Sequence, residues 1–333
     1  YKQGILELYR NGLPDTIQPK NNGLNALKGL FSFMRGQLTV TTGIPSHGKS
    51  NFMEWYLLNV LAEYDMKMSM YSPEHSPYEL HQTNFIQKFY AKPFFADKEG
   101  VAKVCEEEIE KFIDWADEKI YVSCPEKQQT PDWDWILETF KEQVYAYGVD
   151  IFLIDAFNKV ILSGNGSQKE KIDHALTRLT AFAQQNNVAI FLVAHPTKMK
   201  KNEEGIYECP TLYDVAGSAD FRNQTHNGNS IYRNFGDDEY TKFVNLKTKF
   251  SFQGEIGSEV QFKYDVVSGR YYDYMGACSR EPLVDLFPYQ EPEEPQEEKE
   301  DVFANINTLG MFEETENFAE SMPEYKEGEV PPF

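Results

Sequence analysis

Residues 43–50 read GIPSHGKS, and the interpretation of the whole chain depends on this short stretch. It matches the phosphate-binding pattern G-x-x-x-x-G-K-[ST] at Gly43, Gly48, Lys49 and Ser50. The β-branched stretch QLTVTT before it predicts a buried strand, and NFMEWYLLNVLAEY after it has apolar residues at helical spacing. Because a phosphate loop joins a strand to a helix, the motif and its neighbours predict the same structure.

Each residue type in this loop has a chemical role in binding ATP. Glycines let backbone N–H groups wrap the phosphates, and the following helix N-terminus adds its positive dipole. Lys49 would reach the β and γ phosphates, and Ser50 would bind Mg²⁺. The alternative, a glycine turn with an incidental lysine, does not account for the flanking strand and helix. The predicted nucleotide-binding residues are Gly43, Ile44, Pro45, Ser46, His47, Gly48, Lys49 and Ser50.

Three polar residues end other apolar segments, where a nucleotide site needs them. Asp155 closes IFLID and would serve the Mg²⁺ shell, 106 residues beyond Lys49, a spacing that suits a RecA-like core. Glu74 closes KMSMYSPE and could activate the attacking water, although an acid at a helix start would look the same. His195 closes VAIFLVAH and could sense the γ-phosphate; a structural histidine is the alternative.

The order of the segments predicts an α/β fold. Continuous apolar runs alternate with helical patterns at about 77–91, 100–117, 133–147 and 168–186, which is typical of a mostly parallel sheet covered on both faces. From about residue 229 short strands follow, and we expect an antiparallel extension of the same sheet. The expected divisions are a linker or helix at 1–23, an ATPase domain at 24–280 and a tail at 281–333.

Charge and cysteine content narrow the class of protein. The net charge is −21, but the segment from Glu281 onward holds 16 acidic residues against two lysines, which is two thirds of it. This segment, rich in Glu and Pro, predicts a disordered tail. It either solubilises the chain or recruits a protein partner through its acidic end, EGEVPPF. Four scattered cysteines suit a reducing compartment, and no apolar run is long enough for a membrane span.

Six stretches together carry a family resemblance that covers about residues 24–265. They are GIPSHGKSNF, MYSPEHSP, IFLIDAFNKV, VAHPTKMKK, PTLYDVAGSADFRNQTHNGNSIYRN and KTKFSFQGEIG. In this order they resemble the helicase domain of DnaB-type hexameric replicative helicases, within the Twinkle and phage primase-helicase branch. The resemblance implies a RecA-like P-loop NTPase core that uses ATP and Mg²⁺, forms a hexameric ring and moves 5′ to 3′ on single-stranded DNA. It also implies bacterial or phage-infected cytoplasm and a primase domain or partner; we expect an upstream domain because Tyr1 is not Met.

The resemblance also assigns roles to individual residues. It makes Glu74 the catalytic glutamate, Asp155 the Mg²⁺-associated acid and His195 the residue that couples the γ-phosphate to DNA. The loop TKMKKNEEGIYECPTLYD would line the central channel, although a solvated charge cluster remains the alternative. The residues implied to contact DNA are Lys198, Lys200, Lys201, Arg222 and Asn223, and Arg233 is implied to line the nucleotide site.

One departure from the family concerns the residues that act on a neighbouring subunit's ATP. Relatives carry Lys-x-Arg where this chain has KTK, so Lys247 and Lys249 occupy those places. A lysine supplies charge but not the planar bidentate fork of arginine. We therefore expect slow hydrolysis, or a larger role for Arg233. Two alternatives stay open: a RecA- or RadA-like recombinase, and a protein that uses ATP only to set its assembly state.

Overall fold

The computed structural model describes residues 2–20, 23–125, 131–163, 165–197, 199, 201–203, 205, 207–215, 218–235 and 239–287. The chain divides into two units, Tyr1–Leu286 and Phe287–Phe333. Of the second unit only Phe287 is described, so almost all of the expected acidic tail lies outside the described residues. No helix within the described ranges is both long and apolar enough to cross a membrane.

Seven helices and nine strands build the described part of the first unit. The helices are α1 (Lys2–Asn11), α2 (Lys49–Glu63), α3 (Tyr78–Tyr90), α4 (Glu106–Asp117), α5 (Trp133–Tyr147), α6 (Gln168–Asn186) and α7 (Ser218–Gln224). The strands are β1 (Leu38–Thr42), β2 (Met68–Tyr71), β3 (Ile120–Val122), β4 (Ile151–Asp155), β5 (Ala189–Val193), β6 (Asn227–Asn234), β7 (Tyr240–Lys247), β8 (Glu259–Asp265) and β9 (Arg270–Asp273).

All nine strands form one sheet in the order β3-β2-β4-β5-β1-β6-β7-β8-β9. The strands from β3 to β6 pair in parallel, and β7, β8 and β9 continue antiparallel. The expected antiparallel extension is therefore confirmed, with one correction. β6 is parallel to β1, with Thr39 opposite Asn227, because α7 precedes β6 and returns the chain to the same end of the sheet.

Apolar layers cover both faces of the parallel part, as the unalternating strands predict. One layer packs α2, α3 and α4 on the sheet through residues such as Leu57, Phe85 and Phe112. The other packs α5 and α6 on the opposite face, where Phe140 stacks on Phe152 of β4 with 4.1 Å between ring centroids. Fully burying one such side chain contributes about 1.5–3 kcal/mol, and these layers hold the strand ends rigidly in place.

Helix α4 begins later than its pattern predicts. The sequence predicts a helix from about residue 100, but α4 begins at Glu106. The backbone N–H of Cys105 donates to Oε2 of Glu108, 3.0 Å away, so the acid closes the helix start at this position. Lys98 and Val101 form a small antiparallel bridge just before it, which holds that segment out of the helix.

Candidate active site

The parallel strands β1, β2, β4 and β5 all end at one edge of the sheet, and a cavity of about 470 Å³ opens there. The carboxyl edge of an open α/β sheet is where such folds bind ligands. The cavity is lined by Pro45, Ser46, Gly48, Lys49, Ser50, Asn51, Glu54, Glu74, His75, Asn84 and His195. The structure therefore brings the predicted phosphate loop together with Glu74 and His195.

Two glycines give the phosphate loop its shape. Gly43 has a φ of +154°, and a Cβ at this position would overlap the carbonyl oxygen of Ile231. Gly48 has a φ of +86° directly before α2, and a Cβ there would overlap the hydroxyl of Tyr271. Only glycine fits both places, so the loop can turn tightly and present its backbone and the start of α2 to the cavity.

The side chain of Lys49 is buried beside two carboxylates. Its Nζ donates to the carbonyl oxygen of Ile44 at 3.0 Å, and the residue is 4% exposed. Burial lowers the pKa of Lys49 to about 8, although Asp155 and Glu74 oppose this change. An ammonium that has lost much of its water shell and is held by a single carbonyl is well prepared to bind a phosphate oxygen.

Asp155 and Ser50 form the arrangement that a bound Mg²⁺ would need. Asp155 is 2% exposed and shares a hydrogen bond with the Ser50 hydroxyl. Burial raises the pKa of Asp155, although Ser50 opposes this change. Its Oδ1 has no hydrogen-bond partner among the described residues. A buried carboxylate oxygen without a partner is costly, and a divalent cation would satisfy it, so these two residues fit Mg²⁺.

Glu74 lies between two cationic or titratable groups at the mouth of the cavity. Its Oε1 is 3.2 Å from Nζ of Lys159 and 3.9 Å from Nε2 of His195, and 32% of its side chain is exposed. Burial, with help from Lys49, lowers the pKa of His195. The sequence reasoning missed Lys159; the signal was its position four residues after Asp155, on the segment that follows a strand of the site.

Arg233 reaches the phosphate loop through its backbone rather than its guanidinium. Its N–H donates to Nδ1 of His47 at 2.9 Å. The guanidinium pairs with Glu239 and lies over the ring of Phe235, 4.8 Å from its centroid, and it does not line the cavity. Burial lowers the pKa of His47 to about 4, and Lys49 and Arg233 act in the same direction. His47 therefore stays neutral and accepts this hydrogen bond.

The two lysines of KTK have different surroundings, and neither lines the cavity of its own chain. Nζ of Lys247 donates to the carbonyl oxygens of Arg222 and Thr225 at 2.5 and 2.6 Å. Burial lowers the pKa of Lys247, and the charges of Lys249 and Arg222 add to this effect. Lys249 is exposed. Within one chain, Lys247 is thus held by the end of α7, whereas Lys249 is available to a neighbour.

The segment predicted to contact DNA is only partly described. Lys198 and Lys200 lie outside the described residues. Lys201 is exposed and lies 4.7 Å from the ring centroid of Tyr207, opposite which it pairs in a small bridge. Arg222 lies over the ring of Tyr213 at 5.0 Å, and Asn223 is exposed beside it.

Comparisons with known proteins add independent information to this geometry. No model of a known protein family matches the chain. The chain is 30% identical over 261 residues to the Twinkle homolog protein, chloroplastic/mitochondrial, of Arabidopsis thaliana. The match covers 76% of this chain, and the chain spans only 36% of the length of that curated relative.

Two solved structures share the fold. One, an isolated ATPase domain, superposes with a TM-score of 0.64 at 14% identity, over 82% of this chain and 98% of that one. A DnaB-like replicative helicase, solved to show its interactions with primase, gives 0.63 at 14% identity over 82% of this chain and 66% of that one.

Proposed function

This chain contains a helicase ATPase domain of the DnaB-like and Twinkle type, and we propose that it is an ATP-driven motor that unwinds DNA. The motor assembles as a homo-oligomeric ring, with six subunits as in the family that it resembles. Each ring encircles single-stranded DNA and translocates along it 5′ to 3′. Its place of action is the cytoplasm of a bacterium or of a phage-infected host.

One observation supports hydrolysis above all others: Lys49, Ser50 and Glu74 line a single cavity, and Asp155 hydrogen-bonds to Ser50 from below. Lys49 would hold the β and γ phosphates of ATP, and Ser50 with Asp155 would hold Mg²⁺. The metal ion, when bound, supplies positive charge against the phosphate oxygens. Glu74 would orient the attacking water and accept its proton, because a carboxylate at the cavity mouth can reach both solvent and the terminal phosphate.

His195 connects the nucleotide to the proposed DNA loop. Its imidazole is 3.9 Å from Glu74, and its backbone N–H donates to Oδ1 of Asn158 at 3.3 Å. The next residue, Pro196, pairs with Val215 and closes the base of the segment that contains the lysines. A change at the γ-phosphate would therefore move the start of this segment directly. We propose that Lys198, Lys200, Lys201, Arg222 and Asn223 contact the DNA backbone.

Neighbouring subunits complete the site in this proposal. Lys249 is exposed and would reach the ATP of the adjacent subunit, and Lys247 would need to leave its carbonyl partners to do so. Arg233 would stabilise the loop from the same chain through His47. A primase domain or primase partner, and a protein partner for the acidic tail, belong to the same proposal.

The test is ATP hydrolysis measured with and without single-stranded DNA, in the wild type and in Glu74→Gln. We expect DNA to stimulate hydrolysis and the variant to lose hydrolysis while it still binds ATP. Glu79→Gln, an exposed acid in the first turn of α3, is the matched control and should behave as wild type. Hydrolysis that survives Glu74→Gln would contradict the assignment of the catalytic carboxylate.

A second candidate function has one observation in its favour. Because Lys247 is held by α7 and no arginine stands at the trans position, the chain could use ATP to set its assembly state without unwinding. Nucleotide-dependent assembly without DNA-stimulated turnover would favour this function. Electron micrographs of the assembly with ATP and DNA distinguish a ring from the filament of a recombinase.

A further inference from the structure

Behind the nucleotide cavity lies a buried charged cluster that the proposed mechanism does not use. Glu54, His81 and Lys88 are 3%, 4% and 1% exposed. Nε2 of His81 lies 2.6 Å from Oε1 of Glu54, and Nζ of Lys88 lies 2.9 Å from Oε2. Both oxygens of one carboxylate on α2 are therefore held by two side chains of α3.

The protonation of this cluster follows from its charges. Burial by itself would raise the pKa of Glu54, but Lys88 and His81 together lower it to about 2. An ionised carboxylate only accepts hydrogen bonds, so Nε2 of His81 carries the hydrogen and donates it. A carboxylate with both oxygens bonded to donors in the protein interior fixes the two helices against each other.

The cluster continues to the segment that carries the proposed catalytic acid. The ring of His75 stacks on that of His81, with 4.3 Å between centroids and 14° between planes. Nδ1 of His75 lies 2.7 Å from the hydroxyl of Ser72. Glu74 stands between these two residues in the chain, so its backbone is held from both sides.

We propose that Glu54 and His81 act as positioning residues for hydrolysis, because they fix Glu74 through the ring of His75. This inference rests on the proposed ATPase function. Glu54 follows Ser50 by one turn of α2, so the same helix that would bind phosphate and metal also sets the position of the water-activating carboxylate. The nucleotide and the catalytic acid then share one rigid frame.

The contrast between two variants of His81 tests this proposal. His81→Gln keeps an N–H donor near Oε1 of Glu54, and His81→Leu removes it. We expect kcat to fall about 10- to 100-fold in His81→Leu with KM for ATP nearly unchanged, because a misplacement of about 1 Å can cost that much. His81→Gln should recover most of the rate. A purely structural role would lower the melting temperature without separating kcat from KM.

A second pair of variants keeps the test decisive if His81→Leu does not fold. His75→Phe preserves a stacked ring, whereas His75→Ala removes it; His75 is only partly buried, so both changes should leave the fold intact. We expect kcat to fall in His75→Ala and to be largely kept in His75→Phe. Equal rates in the two would overturn the proposal. A wild type that hydrolyses no ATP at all would instead contradict the proposed function.

Metal analysis of the purified wild type provides a further check. The ligand atoms of Glu54, His75 and His81 lie within 4.8 Å of one another, as in a metal site. Lys88 disfavours a cation here, since its ammonium already neutralises Glu54. A stoichiometric zinc ion on these residues would overturn the proposal, because Nε2 of His81 cannot bind a metal and donate a hydrogen bond together. We expect no bound metal at this cluster and full activity after chelation and readdition of Mg²⁺.

Discussion

Lys247 of β7 donates a hydrogen bond from Nζ to the carbonyl oxygen of Thr225, 2.6 Å away and one residue beyond the end of α7. The carbonyl oxygen of Arg222 accepts a second bond from the same ammonium. A helix end leaves carbonyls without partners and carries negative partial charge, so a cation stabilises it. Lys247 therefore connects the edge of the antiparallel strands to the helix that carries Arg222.

We expect Lys247→Met to lower the free energy of unfolding by about 1–3 kcal/mol, since it removes charge-assisted hydrogen bonds from the end of α7. Lys249→Met is the matched control, because that side chain is exposed, and it should leave thermal unfolding unchanged. Thermal melts of both variants check this. The hydrolysis rate should respond in the opposite order, with the larger loss in Lys249→Met. Equal melting temperatures for the two variants would contradict the structural role of Lys247.

The close approach of Gly48 to Tyr271 leads to a second expectation. Gly48→Ala places a Cβ against the tyrosine hydroxyl at a φ of +86°, so both overlap and backbone strain should weaken ATP binding. Tyr271→Phe removes the hydroxyl and should recover part of that binding in the double variant. Gly43→Ala meets the backbone oxygen of Ile231 instead, so Tyr271→Phe should not improve it. Nucleotide titrations of the single and double variants measure both effects.

The phosphate loop and the parallel sheet could be predicted from the sequence because their signals are local. GIPSHGKS contains its own glycines and lysine, and each buried strand is a continuous apolar run. The position of Asp155 followed from the same reasoning, since a carboxylate after an apolar strand must lie at the sheet edge. These features depend on few long-range contacts beyond the pairing of strands.

The cluster around Glu54 could not be predicted in this way. Glu54 and Lys88 are 34 residues apart, and their pairing depends on how α2 and α3 pack. Charged residues within helices are usually on the surface, so the sequence alone suggests solvated side chains. The hydrogen bonds of Lys247 to α7 were equally hidden, because a lysine in a strand contains no sign of which carbonyls it meets.

The buried ammonium of Lys49 makes ATP binding dependent on pH. Its pKa of about 8 lies below the usual lysine value, so the side chain loses its proton as the pH rises through 8. Bound phosphate favours the charged form, so binding takes up a proton above this pH. We expect ATP affinity to fall by up to tenfold per unit between about pH 8 and pH 9.5.

Lys49→Arg is the control for this pH dependence, because a guanidinium keeps its charge throughout that range. It should bind ATP more weakly, with affinity that stays level from about pH 7 to pH 9.5. Calorimetric titrations at several pH values in matched ionic strength measure both proteins. A wild-type affinity that is constant over this range would contradict the lowered pKa of Lys49.

His47 gives the opposite dependence in acid. Its pKa of about 4 lies below the ordinary value, so the folded protein holds it neutral and its Nδ1 accepts the N–H of Arg233. As the pH falls from about 6.5 through 4, protonation is favoured in the unfolded chain first, and the folded state loses stability. His47→Asn supplies an oxygen acceptor that does not titrate. Unfolding curves should show a weaker loss of stability in this variant, and identical curves would contradict the role of Nδ1.

The lysines of the proposed DNA segment should determine how salt affects binding to single-stranded DNA. Removing one lysine–phosphate interaction reduces the slope of log affinity against log salt by about 0.7, so the triple alanine variant of Lys198, Lys200 and Lys201 should reduce the slope by about 2. Hydrolysis without DNA should be unchanged. A control variant replaces the same number of exposed lysines elsewhere, at Lys28, Lys103 and Lys141. If both variants bind DNA with the same slope as wild type, these lysines form a solvated cluster and the DNA must be held by other residues.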